Sequence, residues 1–251
     1  SAICKDKVGS VMNYHPKGKG LNWRTNLYYL QSTDHGNSWT TADGKKLSVP
    51  LEEPINAALV QNYESQKLLV YLKYLAYDDD SRPVILYETS SGYEPGPGND
   101  PRVIRMARWD GKQWQYHAIA ETDHNYDSAC IYFEEDGSWK VIAATEPGPQ
   151  PYSTGGEMVF WTSAYKGATW HKARQLTSGS ERNHTYARRP VDAHADFYAL
   201  WADGNSLKPS ESLLYFCDRS GNVFQLPQKM QGEAAKPQKV MTGNEKLSSV
   251  R

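Results

Sequence analysis

The stretch Leu27-Tyr28-Tyr29-Leu30-Gln31-Ser32-Thr33-Asp34-His35-Gly36-Asn37-Ser38-Trp39 decides the fold. It reads as a strand, a tight turn and the start of a second strand. Asp34 is placed to accept hydrogen bonds from backbone N–H groups of its own turn. Gly36 supplies a positive φ that a side chain resists. Trp39 then lays a large apolar ring over the hairpin. The spacing Ser-x-Asp-x-Gly-x-Ser-Trp is an architectural signal and carries no chemistry of its own.

Working outward, the 251 residues carry a formal net charge of −1, which fits one large all-β domain better than two small ones. Eight Trp and 17 Tyr suit strands and sugar-facing surfaces more than helices. The near-neutral balance offers no basic footprint, so nucleic acid is not an expected partner. No apolar run approaches the roughly 18 residues that span a bilayer, so no membrane partner is expected. No signal peptide is visible, and Ser1-Ala2-Ile3 reads as a chain already cut or started internally. Cys4, Cys130 and Cys217 read as buried thiols, with a single disulfide as the alternative.

The turn recurs in altered form. Ser163-Ala164-Tyr165-Lys166-Gly167-Ala168-Thr169-Trp170 keeps Ser, Gly, Thr and Trp but has Tyr165 in the place of Asp34. Trp109-Asp110-Gly111-Lys112-Gln113-Trp114 is a shortened relative, and Asp218 to Asn222 is a turn in the same place without the Trp. Four turns imply four antiparallel sheets, each of four short strands, the pattern of propeller blades. The blades are expected at about 1–51, 55–120, 124–178 and 183–228, with 231–251 a polar tail or closing segment. In the second, Ala57 to Tyr63 reads as the opening strand, and one strand closes it around Val103 to Ala118. A second repeat, Glu94-Pro95-Gly96-Pro97 and Glu146-Pro147-Gly148-Pro149, falls between the second and third strands of its blade. Proline and glycine there make a stiff loop that does not pair.

Strand order sorts the loops by end. The Glu-Pro-Gly-Pro loops and the segments entering each first strand share one end; the Ser–Trp turns, with His35 and His194, take the other. The functional end therefore collects Tyr93, Glu94, Glu146 and Tyr152, joined by Lys208 and Glu211. It also receives the entry segments Thr122-Asp123-His124-Asn125-Tyr126-Asp127 and Arg182-Asn183-His184-Thr185-Tyr186-Ala187-Arg188-Arg189-Pro190. If 183–190 is extended, His184, Tyr186 and Arg188 project to one side. Imidazole, phenol and guanidinium together suit β-elimination on a uronic acid. The guanidinium neutralises the carboxylate, a His or Tyr removes the C5 proton, and a Tyr protonates the leaving oxygen. His124, His184, Tyr186 and Arg188 are the catalytic candidates; Arg189, Asn125, Tyr126, Tyr93, Glu146 and Tyr152 are the substrate-binding ones. The plain alternative is that the arginines pair with acids between blades and Tyr186 packs. A glycosidase would need two carboxylates, which Glu94, Glu146, Glu157 and Asp127 offer; a non-catalytic glycan-binding propeller would use the aromatic rim alone. No cofactor is required, and no metal-ligand spacing supports a structural zinc or calcium.

The Ser32 to Trp39 turn resembles the Asp-box of sialidase-type propellers. The segments LLVYLKYL (68–75), SSGYEPGPGNDPR (90–102), HNYDSACIYFEEDGSWKVIAATEPGPQPY (124–152), GGEMVFWTS (155–163) and NHTYARRPV (183–191), with FYALWADG and SESLLYF, extend the likeness. Across residues 20–230 the chain resembles the Asp-box (bacterial neuraminidase) repeat family that includes propeller-type ulvan lyases. That resemblance implies a sialidase-like β-propeller of seven blades, a secreted or periplasmic location, and β-elimination beside a uronic acid in an acidic, sulfated polysaccharide. Four blades then imply part of a longer propeller, or missing blades supplied as partners. The resemblance also places the lyases' principal His and Tyr residues in the first half of the propeller, outside this chain.

Overall fold

The computed structural model describes residues 1–240. It is built of short antiparallel strands, and the only helical elements among the described residues are two three-residue 3-10 turns. The described residues divide into two compact units, residues 1–94 with 98–121, and residues 95–97 with 122–240.

In the first unit, β1 (Ala2–Cys4), β2 (Lys7–Tyr14), β3 (Thr25–Ser32), β4 (Trp39–Thr40) and β5 (Lys46–Leu47) lie side by side in that order, and β6 (Leu59–Gln61) also pairs with β3. A second sheet has the order β10 (Trp114–Thr122), β9 (Arg102–Trp109), β8 (Pro83–Ser90), β7 (Leu69–Tyr77). Two expectations are corrected here. The Ala57 to Tyr63 segment does not open the second sheet, because the β4–β5 hairpin meets β3 only at Gln31 and leaves Leu27 and Tyr28 for β6 to pair. The 103–118 stretch is two strands, because Asp110 folds it back by accepting the N–H groups of Lys112 and Gln113.

Every residue of β3 and β8 is buried. Strands covered on both faces lose the in–out alternation, so their polar side chains must find internal partners. Thr25 donates to the Leu68 carbonyl (2.9 Å), Asn26 accepts the Glu64 N–H (2.9 Å), and Gln31 accepts the Tyr29 hydroxyl (2.8 Å). Lys73 and Glu88 form an ion pair at 2.8 Å with both side chains fully buried. Around these groups Leu27, Val70, Ile85 and Tyr87 form the apolar core.

The second unit has one sheet in the order β11 (Cys130–Phe133), β12 (Trp139–Glu146), β13 (Glu157–Ser163), β14 (His171–Gln175). Its other sheet runs β15 (Asn183–Arg188), β16 (Ala199–Gly204), β17 (Leu214–Cys217), β18 (Val223–Gln225), β19 (Gln238–Val240). Part of the segment expected as a polar tail thus pairs as β19; residues 241–251 lie outside the described residues. The three cysteines are free thiols; Cys130 and Cys217 are buried, and burial pushes the Cys130 thiol up to about 12.

The two Ser–Trp turns share one frame. Ser32 Oγ accepts the N–H groups of Asp34 (3.3 Å) and Gly36 (2.8 Å); Ser163 Oγ accepts those of Tyr165 (3.3 Å) and Gly167 (3.0 Å). Asp34 adds a clamp, accepting from the Ser38 N–H (2.9 Å) and hydroxyl (2.6 Å), and those bonds hold its carboxyl at about 2. Gly36 and Gly167 both stand at positive φ. Because Ser163 keeps the frame where the aspartate is missing, Ser163→Ala is expected to cost as much stability as Ser32→Ala, about 1 kcal/mol in each case. Urea denaturation of the two variants checks this, and a neutral Ser163→Ala would contradict it.

Candidate functional site

The site belongs to the second unit. Its strands alternate in direction, so the 147–156 loop after β12 and the 176–182 segment after β14 fall at one end. Gly156 and His184 exchange both backbone hydrogen bonds (2.8 and 2.9 Å), which sets the start of β15 at that same end.

Asn183, buried, ties the loop to the strand. Its amide donates to the carbonyls of Gln150 (2.9 Å) and Thr154 (3.1 Å), its Oδ1 accepts the Gln150 N–H (3.1 Å), and its own N–H reaches Gln150 Oε1 (3.2 Å). A Cβ on Gly155, which stands at φ +82°, would lie 2.4 Å from the His184 carbonyl oxygen. Only glycine lets the loop backbone come so close to β15.

The entry segment 122–128 organises the rest. His124 is buried, with Nδ1 2.9 Å from Asp123 Oδ1 and 3.1 Å from Thr122 Oγ1, and Nε2 3.4 Å from Asp127 Oδ2. Each of the two carboxylates holds a tyrosine backbone. Asp123 Oδ2 accepts the Tyr152 N–H at 2.9 Å, and Asp127 Oδ1 accepts the Tyr186 N–H at 2.6 Å together with the Thr185 hydroxyl at 3.0 Å. Both tyrosines are left-handed, Tyr152 at φ +60° and Tyr186 at φ +59°. A bulky residue there costs on the order of 1–3 kcal/mol, so the surrounding bonds must impose it. Burial raises the Asp123 carboxyl, but the bonds from His124 and Tyr152 outweigh it and leave it below the ordinary value.

The left-handed residue breaks the strand. The register of β15 against β16 shifts between Thr185 and Arg188. His184, Tyr186 and Arg188 therefore do not project to one side, as an extended 183–190 would require. His184 points inward and is buried, while Tyr186 and Arg188 stand exposed with the guanidinium 5.7 Å from the Tyr186 ring centroid.

His184 is held on both nitrogens. Trp201 Nε1–H can only donate, so at 3.0 Å it makes Nδ1 the acceptor and places the ring proton on Nε2. Nε2 lies 2.9 Å from Ser180 Oγ, which in turn donates to Glu157 Oε2 at 2.8 Å. Burial pushes His184 below its ordinary 6.5, against the pull of Glu157 and Asp203. The ring forms one wall of a 220 Å³ pocket that also involves Ser178, Arg182, Asp203 and Tyr215. Asp203 Oδ2 accepts from Arg182 Nε and from the Tyr215 hydroxyl, both at 3.1 Å.

The remaining candidates are dispersed. Asn125 is buried and Tyr126 half-buried beside His124. Arg189 donates to the Ile131 carbonyl (3.1 Å) and lies 4.9 Å over Tyr132. Glu146 pairs with Lys172 at 2.6 Å. Tyr93 is in the first unit, its ring edge-on to Trp23. Of the acids a glycosidase would use, Glu157 is enclosed by Thr177 and Ser180, and Asp127 is committed to β15. Asp123, Asn183, Trp201 and Asp203 are not marked as site residues by the sequence, because the contacts that tie each to Tyr152, Gln150, His184 and Arg182 span 17 to 33 residues. Among the described residues no group of three His, Cys, Asp or Glu is arranged to hold a metal, and no helix is long and apolar enough to cross a membrane.

Residues 17–131 match the BNR repeat-containing family. Among solved structures, an ulvan lyase of polysaccharide lyase family PL25 bound to GlcA(1-4)Rha3S is similar, with a TM-score of 0.67 and 15% identity over 87% of this chain and 50% of that one. A second PL25 ulvan lyase structure gives 0.61 at 13% identity, over 84% and 52%. A protein of unknown function from Dyadobacter fermentans DSM 18053 gives 0.51 at 15% identity, over 92% and 64%. The chain spans about half the length of the lyases it resembles. No curated protein matches it in sequence. The likeness shows the fold: the four sheets are blades of a sialidase-like propeller, as the Asp-box resemblance implied.

Asn183→Ala is expected to lose on the order of 3 kcal/mol, since it strands several buried partners at once. Limited proteolysis should then cut within 147–156, and a loop as resistant as wild type would contradict the anchoring. His184 should stay neutral where an exposed histidine titrates, near 6.5. As pH falls below that value the unfolded chain takes up a proton that folded His184 refuses, so stability declines with acid. Imidazole resonances followed by NMR check this, and His184→Gln should remove its share of the decline.

Proposed function

We propose that this chain is part of a polysaccharide lyase that cleaves a uronate-containing, sulfated, ulvan-like glycan by β-elimination. The observation that carries the reading is Tyr186: an exposed phenol on a left-handed backbone, fixed by Asp127 and set beside the exposed Arg188 guanidinium. The buried Asp127 that imposes this conformation holds an exposed phenol in one place beside a guanidinium, which supports a role in binding and proton transfer. The shared fold with ulvan lyases supports the same reading.

Arg188 offers a planar fork to the uronate carboxylate. Drawing charge from that carboxylate makes the C5 proton easier to remove. Tyr186, beside it, relays the proton: its phenolic oxygen accepts one from C5 as its own passes to the departing glycosidic oxygen at C4. The C4–O bond breaks as the C4–C5 double bond forms, so no water is consumed and no redox partner is needed. His124 does not meet the sugar in this scheme. It is a positioning residue that keeps Asp127 on the Tyr186 N–H. His184, with both nitrogens engaged and its ring inside the fold, supports the adjacent pocket and does not act as the base. A polymeric substrate of this kind is met outside the cytoplasm, which agrees with a secreted or periplasmic enzyme.

The hydrolase alternative finds less support, since Glu146 is neutralised by Lys172 and Glu157 is enclosed by hydroxyl and amide donors. The test is incubation with ulvan and other uronate polymers, read by the ultraviolet absorbance of the conjugated unsaturated product. Tyr186→Phe should lower turnover by about a hundredfold or more, as loss of a general acid–base group does. Arg188→Gln should lower kcat as well as raise KM, since the carboxylate charge that opposes loss of the C5 proton is then left in place. Reducing ends released without that absorbance, or full turnover in Tyr186→Phe, would overturn the proposal.

A further inference from the structure

The opposite end of the second unit holds a cleft that the lyase reading does not use. It opens between the two sheets beside the β11–β12 and β17–β18 turns, with a volume of about 650 Å³. Three cations from three elements line it: Lys140 on β12, Arg174 on β14 and Arg219 in the β17–β18 turn. The lining holds one carboxylate, Asp136, which is engaged by the Ser138 N–H (2.9 Å) and hydroxyl (2.6 Å).

Glu134, buried and outside the lining, anchors two of the cations. It accepts Arg219 Nε at 2.7 Å, lies 3.4 Å from Lys140 Nζ, and is also bonded by the Tyr198 hydroxyl. The lining itself carries three cations against the single Asp136 carboxylate. The positions are fixed rather than floppy: Arg174 donates to the Ser220 carbonyl at 3.0 Å, and Lys140 lies 5.9 Å over the Phe160 ring and 5.6 Å over Tyr198. Yet the Arg219 side chain remains 43% exposed and that of Lys140 25%. Cations held in place and still open to solvent are set to receive an anion. Trp161 adds carbon surface and Thr162 lies beside it.

The geometry points to a second binding site in this cleft for a sulfated sugar unit, non-catalytic and at the far end of the unit from Tyr186. Two guanidiniums and an ammonium around one cavity match the tetrahedral oxygens of a sulfate ester. The volume suits one or two sugar units rather than a protein segment. Nucleic acid is disfavoured because the whole chain is at −1 and offers no extended basic face. Such a site would hold a long sulfated chain against the protein, and it stands or falls apart from the lyase reading.

Affinity electrophoresis in gels containing dextran sulfate tests it, because this polymer carries sulfate but no uronate and yields no elimination product. The wild-type chain should be retarded by dextran sulfate and not by neutral dextran, with retardation falling as salt rises. Arg174→Glu should weaken the interaction about tenfold, the equivalent of one charge-assisted hydrogen bond, while Arg174→Lys keeps most of it. Should Arg174→Glu fail to fold, Lys140→Gln gives the same reading with a smaller loss. Hydrogen exchange with dextran sulfate bound should show protection at 134–140, 172–175 and 218–221. Unchanged retardation in both variants would overturn the site. Protection confined to 122–128 and 183–190, or equal retention of duplex DNA, would overturn it too.

Discussion

Asp127 carries the candidate site. One carboxylate oxygen accepts the Tyr186 N–H at 2.6 Å, and the other faces His124. A tyrosine does not choose a left-handed backbone in the middle of a strand; the acid makes it do so, and the strand bulges as a result. Asp123 does the same for Tyr152 from the other side of the same imidazole. His124 therefore sits between two acids, each pinning an aromatic residue from a different segment. The loop, the entry segment and β15 are joined through a single ring, and the shape of that end of the unit follows.

Much of the fold was legible because its turns are written locally. Ser32 to Trp39, Ser163 to Trp170 and Trp109 to Trp114 lie within a few residues, so spacing alone locates the hairpins and implies the sheets. The pairing of β6 with β3 was not legible. It depends on how little of β3 the β4–β5 hairpin covers, and this is a property of strand lengths in space. The site was half legible for the same reason. Loop composition and strand order led to 122–128 and 183–190. The sides on which His184 and Tyr186 fall depend on a bulge imposed by Asp127, 59 residues from Tyr186. Period-two reading assumes unbroken extension, and here an acid breaks it. Asn183 was invisible for a related reason: its partners lie 29 to 33 residues back.

The buried polar groups show how these blades meet the cost of thickness. Central strands covered on both faces cannot be wholly apolar when their side chains must also set register. The structure answers with short internal relays: Thr25 to Leu68, Tyr29 to Gln31, Lys73 to Glu88, and Trp201 to His184 to Ser180 to Glu157. Each relay is directional, so it discriminates between neighbouring registers where methyl groups would not. His184 illustrates the trade. Its position suggests chemistry, yet the indole that orients it also removes the lone pair a base would need.

The two Ser–Trp turns differ in whether an acid is present and agree in their serine. In both, one hydroxyl gathers the amides two and four positions ahead, and the aspartate only tightens what is already closed. The corner therefore closes without the acid, as it does at position 165. Blades tallied by their acid are undercounted in this chain; a hydroxyl followed at a distance of four by glycine finds both corners.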